Sequence, residues 1–297
     1  MDDIVIGIPT FRRPDRLDAL LASLAGERAA MAPLVIVADN ACEAAALAVA
    51  ERHDACYRPV AARGLAAVRN ALVAEACWLA PGWRWLAMLD DDGRVAPGWL
   101  APLVACGESH AAHLVGGPVE GDLPPDAGRL ARNSVFAGRR RGATGPVATL
   151  GGAQNLLIAR DLVDLLGLPL FRADYDRSGG EDYDLFRRAA AAGARMAWCA
   201  EAVVHEPAPP DALRPRRLIA RYWSTGLTTA RIDRGFDGPA RAWGAALRGL
   251  AGSAARGSAA ALRGDLDAAA GAALMLGHFG GRVAGLLGAE SDHYAAP

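Results

Sequence analysis

Residues Trp85 to Asp92 read WLAMLDDD, five apolar residues followed directly by three aspartates. The apolar run predicts a short buried β-strand. Like charges this close repel one another, so the end of this strand is costly unless a cation lies beside it. A hard divalent ion with oxygen ligands would relieve the repulsion. Because open α/β sheets bind ligands at the carboxyl ends of their strands, the stretch predicts an α/β fold with a metal site that holds a phosphate-bearing substrate.

Strand-like and helix-like segments alternate on the amino-terminal side of this stretch, at lengths typical of βαβ units. The predicted strands are Ile4–Ile8, Leu34–Ala38, Cys56–Tyr57 and Trp85–Leu89, and the predicted helices begin at Pro14, Glu43 and Gly64. Near-continuous apolar strands joined by helices are typical of a parallel sheet covered on both faces. We therefore expect a Rossmann-like α/β fold, a mixed and mainly parallel sheet flanked by helices.

The pattern changes twice on the carboxyl-terminal side. Between residues 116 and 152 glycine, proline and arginine dominate, which predicts a long surface excursion. A strand at Leu156–Ile158 and a helix at Asp182–Ala192 follow. After Pro207 the composition becomes rich in alanine, leucine and arginine, so we predict a boundary near residue 210 and a helical carboxyl-terminal appendage over 211–297.

Composition excludes several classes of function. The chain has 297 residues, 52% of them hydrophobic, so it can bury a large core. A formal net charge of −1 predicts no strong attraction to nucleic acid. All 32 basic residues are arginines. The absence of lysine excludes mechanisms that need a lysine Schiff base or a P-loop lysine.

Cysteine usage and the termini predict a cytoplasmic protein. The five cysteines are scattered without a CxxC pair, which is typical of buried thiols in a reducing compartment. Asp2 and Asp3 run directly into a predicted strand, with no secretory signal. The apolar stretch Ala268–Leu287 is interrupted by His278, Arg282 and several glycines, which argues against a membrane span.

Six motifs occur in the order in which family 2 glycosyltransferases carry them. They are Ile4–Pro14 (IVIGIPTFRRP), Val35–Asn40 (VIVADN), Gly64–Asn70 (GLAAVRN), Leu89–Leu100 (LDDDGRVAPGWL), Gly151–Asn155 (GGAQN) and Gly180–Asp184 (GEDYD). Each alone is a weak signal, but six in order over roughly residues 4–206 form a strong one. The chain resembles this family, which implies a GT-A fold and inverting transfer from a nucleotide sugar. The implied domains are a catalytic domain at 1–210, with a nucleotide-binding half at 1–115 and an acceptor half at 116–210, followed by the helical region 211–297.

The resemblance implies a metal site at the acidic strand end. In the family the last aspartate of this motif ligates Mn²⁺ or Mg²⁺, which makes Asp92 the ligand, with Asp90 and Asp91 in support on the donor side. Family members often complete the site with a histidine at the position of His205, and imidazole suits Mn²⁺ acceptably. The alternatives are a solvated acidic turn in which Asp90 caps the next helix, and a histidine that closes a strand by a hydrogen bond.

The resemblance also implies a general base near the start of a helix. The family uses the aspartate of the Glu181-Asp182 pair to deprotonate the acceptor hydroxyl, on the face opposite the leaving group. Asp182 is therefore the expected base, with Glu181 or Asp184 touching the acceptor. A helix amino terminus also stabilises carboxylates, so the alternative is that all three only cap the helix.

A nucleotide pocket is expected after the first two strands. In the family, the loop after the first strand and the aspartate after the second line the base, often uracil, which implies roles for Pro9, Thr10, Arg12 and Asp39. Asp39 could accept an imide N–H.

Two further motifs would face the phosphates and the acceptor. Arg69 suits the diphosphate or an ion pair with the aspartates. Gly152 gives close backbone approach and Gln154 could bond hydroxyls of the sugar or acceptor, unless both only form a turn.

The region after residue 210 allows two interpretations. Cationic side chains between Arg214 and Arg231 alternate with apolar ones and surround Tyr222 and Trp223. Such a helix can lie on an anionic membrane surface, which would suit a lipid-linked acceptor and a position on the inner face of the plasma membrane. The alternative is a helical cap on the catalytic domain or a homodimer face.

Together these features predict a metal-dependent inverting glycosyltransferase. Its donor would be a nucleoside-diphosphate sugar, with a UDP-sugar favoured, and its acceptor a hydroxyl of a glycan, polysaccharide or lipid-linked intermediate. One rival is a sugar-nucleotide nucleotidyltransferase, but the segment Ile8–Arg13 lacks the glycines of its phosphate loop. The other is a non-catalytic sugar-binding or assembly protein with a GT-A fold, against which the intact acidic motifs argue.

Overall fold

The structure is a computed structural model that describes residues 3–139, 142–176 and 178–290. The strands are β1 (Ile4–Thr10), β2 (Leu34–Asp39), β3 (Cys56–Pro59), β4 (Trp85–Leu89), β5 (Arg94–Val95), β6 (Leu114–Gly116), β7 (Val119–Asp122), β8 (Gly138–Arg139), β9 (Gly145–Val147), β10 (Asn155–Ala159), β11 (Met196–Trp198) and β12 (Val204–Pro207). The α-helices are α1 (Pro14–Ser23), α2 (Ala25–Met31), α3 (Ala44–Arg52), α4 (Leu65–Leu79), α5 (Leu100–Ser109), α6 (Arg129–Arg132), α7 (Arg160–Leu166), α8 (Glu181–Ala191), α9 (Pro215–Asp237), α10 (Pro239–Leu262) and α11 (Leu266–Leu286).

The larger sheet has eight strands in the order β3-β2-β1-β4-β10-β6-β11-β9. Strands β3, β2, β1 and β4 are parallel to one another, and β6 is parallel to β11. Strand β10 runs antiparallel to both β4 and β6, and β9 runs antiparallel to β11. The predicted mixed, mainly parallel sheet flanked by helices is therefore confirmed.

Both faces of this sheet are covered by apolar side chains from helices. Alternation along β1 sends Ile6 and Ile8 into one cluster, with Leu17 of α1 and Leu103 of α5. Val5 points to the opposite face, where residues of α4, α7 and α8 form a second cluster. Burial on both faces explains why the strands read as continuous apolar runs.

The segment 116–152 is more regular than the sequence predicts. Instead of one irregular excursion, it contains β7, α6, β8 and β9. These elements have two to four residues each, too short for a periodic pattern to appear in the sequence. Arg140 and Arg141, part of the predicted excursion, lie outside the described residues.

The chain divides into two compact units. The first comprises Met1–Glu120, Arg139–Asp176 and Glu181–Glu206, and the second comprises Gly121–Gly138, Arg177–Gly180 and Pro207–Pro297. The functions predicted for residues 1–210 and 211–297 stay predictions.

The second unit is built around α9, α10 and α11. Glycines bring α9 and α11 close together, because a Cβ on Gly226 would lie 2.0 Å from the His278 carbonyl oxygen and one on Gly281 would lie 2.1 Å from that of Trp223. A buried Arg282 donates to Asp233 at 2.7 Å. Within the described part of the chain, none of the helices is both long and apolar enough to cross a membrane.

Candidate active site

The three aspartates stand at the carboxyl end of β4, where the loop after β1 meets them. Because β1 and β4 are parallel neighbours, their carboxyl ends lie at the same edge of the sheet. The Thr10 hydroxyl donates to Asp91 Oδ2 at 2.8 Å, and the Phe11 N–H donates to the same oxygen at 3.4 Å. Asp91 is buried, whereas Asp90 and Asp92 are half-buried. The structure thus joins Thr10 to the acidic cluster, as a site at this edge requires.

Two arginines that the sequence analysis missed balance this negative charge. Arg13 Nη1 donates to Asp91 Oδ1 at 3.3 Å and to Asp92 Oδ2 at 3.1 Å. Arg16 Nη1 donates to Asp92 Oδ2 at 3.2 Å. Both arginine side chains are substantially exposed, at 51% and 36%. Their position directly after β1 is the sequence feature from which they could have been predicted, because loops that follow adjacent parallel strands meet at one edge of the sheet.

The electrostatics of the cluster favour an added cation. Burial raises the pKa of Asp91, although the Thr10 hydrogen bond and Arg13 oppose this effect. Burial also raises the pKa of Asp92, as does the adjacent Asp90, again against Arg13. A raised carboxyl pKa means that the surroundings penalise the negative charge, and carboxylate oxygens are the ligands that Mg²⁺ and Mn²⁺ prefer. The residues present therefore fit a hard divalent ion.

His205 lies beside the turn that follows the aspartates. It pairs across the antiparallel ladder with Arg94, two residues after Asp92. The approach is close, since a Cβ on Gly93 would lie 2.8 Å from Val204 Cγ1. Among the described residues no group of three or more His, Cys, Asp or Glu side chains converges as a metal site does. Magnesium sites commonly take one or two carboxylates and complete the shell with substrate phosphates and water.

Replacing His205 by alanine should weaken Mn²⁺ affinity while leaving metal-free nucleotide affinity nearly unchanged. The reason is its position beside the turn after Asp92, from which imidazole could reach the ion. Titration calorimetry with Mn²⁺ and, separately, with a nucleoside diphosphate would measure both affinities. His110→Ala is the matched control, since His110 is half-buried like His205. Equal Mn²⁺ affinity in the His205 variant and the wild type would leave His205 a structural role only.

Arg69 connects the acidic strand end with α8. Its side chain is only 2% exposed and donates through Nη2 to Asp90 Oδ1 at 3.2 Å and through Nη1 to Glu181 Oε1. The guanidinium also lies over the ring of Phe171, with its carbon 5.7 Å from the centroid. The structure therefore shows the expected ion pair of Arg69 with acidic residues, and its contact with the diphosphate stays a prediction.

The helix that carries Arg69 begins at a position where only glycine fits. Gly64 has φ +120°, and a Cβ there would lie 2.1 Å from Asp176 Cγ. The Asp176 carboxylate in turn accepts the Ala66 N–H at 2.9 Å and so caps α4. Asp176 was not recognised in the sequence analysis, because its partner lies 110 residues away.

The three acids in the first turn of α8 differ in exposure. Glu181 and Asp184 are buried, at 4% and 1% exposed. Asp184 accepts Arg188 Nε at 2.7 Å and lies 3.7 Å from Arg172 Nη1. Asp182 is half-buried, and its Oδ1 accepts the Tyr183 N–H at 2.7 Å. Of the three, Asp182 is thus the side chain that a molecule from solvent could reach.

The carboxyl group of Glu181 has an unusually high pKa. Burial raises its pKa to about 7 from an ordinary 4.5, against the opposing charge of Arg69 and with a further contribution from Asp182. Between these values the folded chain holds a proton that the unfolded chain has released. The stability contributed by this proton is complete below pH 4.5 and is lost as the pH rises through 7.

The Glu181→Gln variant should consequently lose part of the pH dependence of stability. We expect the free energy of unfolding of the wild type to fall more steeply between pH 4.5 and 7 than that of the variant, by up to about 3 kcal/mol over the interval. Urea unfolding at a series of pH values would measure it, with the exposed Glu51→Gln as control. Identical slopes for wild type and Glu181→Gln would contradict the raised pKa.

The residues predicted to line a nucleotide pocket lie at the ends of β1 and β2. Asp39 is fully buried and accepts from the Ala41 and Glu43 N–H groups and from the Tyr57 hydroxyl, at 2.8, 2.8 and 2.9 Å. Its carboxylate therefore already holds the loop after β2.

Beside Asp39, Pro9 is buried and Arg12 is exposed. Arg12 pairs with Glu43 at 3.3 Å and has a left-handed φ of +56°. Its guanidinium carbon lies 5.2 Å from the centroid of the Phe11 ring, which is 41% exposed.

Gly152 and Gln154 form the turn before β10. Strand β10 pairs antiparallel with β4 so that Asn155 lies opposite Leu89, which places the turn beside the start of the aspartate triplet. A Cβ on Gly152 would lie 2.2 Å from Gln154 Oε1, so the amide covers the glycine backbone.

Two sequence comparisons agree with the motif pattern. A family model described as Glycosyl transferase family 2 matches residues 5–163, more than half of the chain. The succinoglycan biosynthesis protein ExoM of Rhizobium meliloti (strain 1021) is 35% identical over 256 residues, which cover 83% of this chain and 80% of ExoM.

Solved structures show the same fold. The crystal structure of S. aureus TarS matches with a TM-score of 0.54 and 14% identity, covering 76% of this chain and 38% of TarS. The structure of its residues 1–349 matches with a TM-score of 0.54 and 15% identity, covering 79% of this chain and 66% of that fragment. At these identities the likeness concerns the fold, a GT-A-like sheet with flanking helices.

Proposed function

The chain belongs to the family 2 glycosyltransferases, and from that premise we propose that it transfers a sugar from a nucleoside-diphosphate sugar, with inversion and with a divalent metal, to a hydroxyl of a glycan or lipid-linked acceptor. One observation carries the proposal. Arg69 ties Asp90, at the end of β4, to Glu181, beside Asp182 at the start of α8. A candidate donor-binding carboxylate cluster and a candidate base are thus linked through the buried Arg69.

In this proposal Asp92 and His205 hold the Mn²⁺ or Mg²⁺ ion, and Asp91 supports Asp92. When bound, the ion neutralises the negative charge that the departing nucleoside diphosphate accumulates. Arg13 and Arg16 balance the carboxylates from the exposed side. Thr10 fixes Asp91 through its hydroxyl, so the cluster keeps its geometry before the donor arrives.

Asp182 takes the proton from the acceptor hydroxyl. It is the acid of the first turn of α8 that solvent reaches, whereas Glu181 and Asp184 are held by arginines. A general base must lie within reach of the hydroxyl proton that it takes, and Asp182 meets this condition at the exposed side of the first turn of α8. Arg69 and Glu181 orient α8 against the donor side and do not themselves touch substrate.

The remaining motifs line the two substrates. Pro9 and Arg12 face the nucleoside, and Asp39 holds the loop after β2 in the shape that receives the base, for which uracil is the favoured candidate. Gly152 and Gln154 lie beside Asp90 in register, where they would contact the sugar or the acceptor hydroxyls. Asp184 supports this end of α8 through Arg188.

The acceptor is proposed from the relative's name. ExoM is described as a succinoglycan biosynthesis protein, and by likeness we assign this chain to the synthesis of a polysaccharide, at the cytoplasmic face of the membrane where lipid-linked intermediates are accessible.

A transfer assay tests this function. The purified chain would be incubated with Mn²⁺, radiolabelled nucleotide sugars and a lipid extract from polysaccharide-producing bacteria, and label in the lipid fraction would be counted. We expect label from at least one UDP-sugar and none when a chelator removes the metal. Release of pyrophosphate from a sugar phosphate and UTP, with no label transferred, would instead identify a nucleotidyltransferase.

A further inference from the structure

Helix α10 carries a concentrated positive charge in a nearly neutral chain. Residues 238–264 contain four arginines and no aspartate or glutamate. Of the two acids that follow, Asp265 caps α11 by accepting the Ala268 N–H at 2.9 Å, and Asp267 lies 3.9 Å from Arg132. Arg241, Arg248, Arg256 and Arg263 are separated by seven, eight and seven residues. At about 100° per residue they fall within roughly 80° of the helix circumference. All four are exposed, so they form one cationic row along the helix.

Exposed leucines accompany this row at the turn between α10 and α11. Leu262 is 89% exposed and Leu266 is 52% exposed, and Leu247 further along α10 is also 52% exposed. About a quarter of the way around the helix from this row, α10 is held in the second unit by small buried residues, among them Ala242, Ala246 and Ala260. The helix therefore presents both charge and apolar surface to solvent.

A groove between α10 and α11 reaches this row. It has a volume of about 480 Å³ and is lined by Arg256, Arg263 and Met275 together with alanines and Gly271. The small side chains leave the space open, while the two guanidinium groups supply the forked donors that bind phosphate oxygens in bidentate fashion. The groove thus combines an apolar wall with phosphate-binding donors.

We propose that α10 and the turn after it form a membrane-docking surface for anionic phospholipid. The arginines would pair with headgroup phosphates, Leu262 and Leu266 would enter the interface, and one headgroup would occupy the groove. Helices with a basic side beside exposed apolar residues lie in the plane of a membrane surface in this manner.

The charge pattern favours a bilayer over other occupants. Two copies of this chain that met through α10 would bring two rows of arginines together, and like charges repel. An acidic polymer would engage the arginines but gain little from Leu262 and Leu266. The cationic segment Arg214–Arg231 predicted from sequence is less suited. Its helix α9 exposes Ile219 and Trp223, but it also carries Asp233 and Asp237, whereas residues 238–264 carry no acidic side chain.

The test uses the full-length chain and phospholipid vesicles without any sugar substrate, so its failure would leave the proposed transferase function untouched. Vesicles of phosphatidylcholine alone would be compared with an equal mixture of phosphatidylcholine and phosphatidylglycerol, by flotation at low and high salt. We expect binding only to the anionic vesicles, weakened by salt because screening reduces charge pairing. Equal binding to both vesicle types, or to neither, would overturn the proposal.

Matched variants test whether the membrane-binding surface lies on α10. In the first variant the four arginines of the row become glutamine. In its control the same change is made at four exposed arginines in α9 or directly before it, which are Arg214, Arg216, Arg217 and Arg234. Each basic residue near an anionic surface strengthens binding about fivefold, so loss of all four should weaken binding of the row variant on the order of 600-fold, and the control should lose less than about tenfold. Equal losses in both variants would mean that bulk charge, and not α10, attracts the membrane.

A second pair of variants tests whether the exposed leucines contribute to membrane binding. Leu262→Ser with Leu266→Ser should reduce the binding that survives high salt, whereas the exposed Leu165→Ser with Leu168→Ser should not. Circular dichroism would verify that the variants fold. Sedimentation analysis would detect self-association, and a dimer abolished by the row variant would assign the surface to a second copy and overturn the proposal.

Discussion

Replacing Asp182 by asparagine should lower the rate of sugar transfer by about 10²-fold or more, the usual scale for a general base. Asparagine keeps the size of the side chain and its acceptor oxygen for the Tyr183 N–H, so the first turn of α8 should remain in place. Only the ability to take a proton is lost. Donor binding should be unchanged, because Asp182 does not contact the aspartates at the end of β4 in the proposed arrangement.

A matched control separates catalysis from structure. Asp174→Asn makes the same chemical change at an exposed position in the same unit and should transfer at the wild-type rate. Steady-state rates and titration of the donor would be measured side by side. Near wild-type transfer by Asp182→Asn would place the base elsewhere, with Glu181 as the next candidate.

Replacing Asp92 by alanine should abolish metal-dependent donor binding without unfolding the chain. Asp92 is the proposed carboxylate ligand of the ion, and without it the ion loses the oxygen ligand that the proposal places beside the diphosphate. Arg13 and Arg16 lose their shared partner Oδ2 in this variant, so metal-free binding of a nucleoside diphosphate should persist or improve. The dependence on Mn²⁺ is therefore the informative quantity.

Titration calorimetry with UDP, with and without Mn²⁺, would measure that dependence. The exposed Asp164→Ala serves as the matched control and should keep the full effect of Mn²⁺. If the Asp92 variant still binds UDP more tightly with Mn²⁺ than without it, the assignment of Asp92 as a metal ligand is wrong.

Local sequence predicts the sheet well. The apolar runs at β1, β2 and β4 are buried on both faces, and such strands have a direct signature in composition. The strand at Trp85–Leu89 was predicted with its observed limits, because three charged residues end the apolar run abruptly. The short strands β7, β8 and β9 escaped prediction, since two to four residues carry no period.

Long-range partners of the site could not be read from the sequence. Arg13 pairs with residues 78 and 79 positions away, and Arg69 with one 112 positions away. Such pairs depend on which strands become neighbours in the sheet. Once β1 is known to lie beside β4, the role of Arg13 follows from its place in the loop after β1.

The motifs also did not reveal which acidic side chains are buried. Asp39 and Asp184 were both predicted to face substrate, yet both are buried and occupied by partners within the chain. Asp182 differs from Asp184 by two positions on a helix, which turns the two side chains about 200° apart. That rotation decides which acid is accessible, and it becomes visible only when the packing of α8 is known.

Thermal unfolding of the wild-type chain with UDP and Mn²⁺ tests the central claim most directly, that the carboxylates after β4 bind a nucleoside diphosphate through a divalent ion. Binding to the folded state raises the melting temperature, and UDP at 100 times its Kd should stabilise the chain by about 2.7 kcal/mol. We expect UDP and Mn²⁺ together to raise the melting temperature by more than the sum of their separate effects. An unchanged melting temperature with every nucleoside diphosphate, with or without Mn²⁺, would contradict the account.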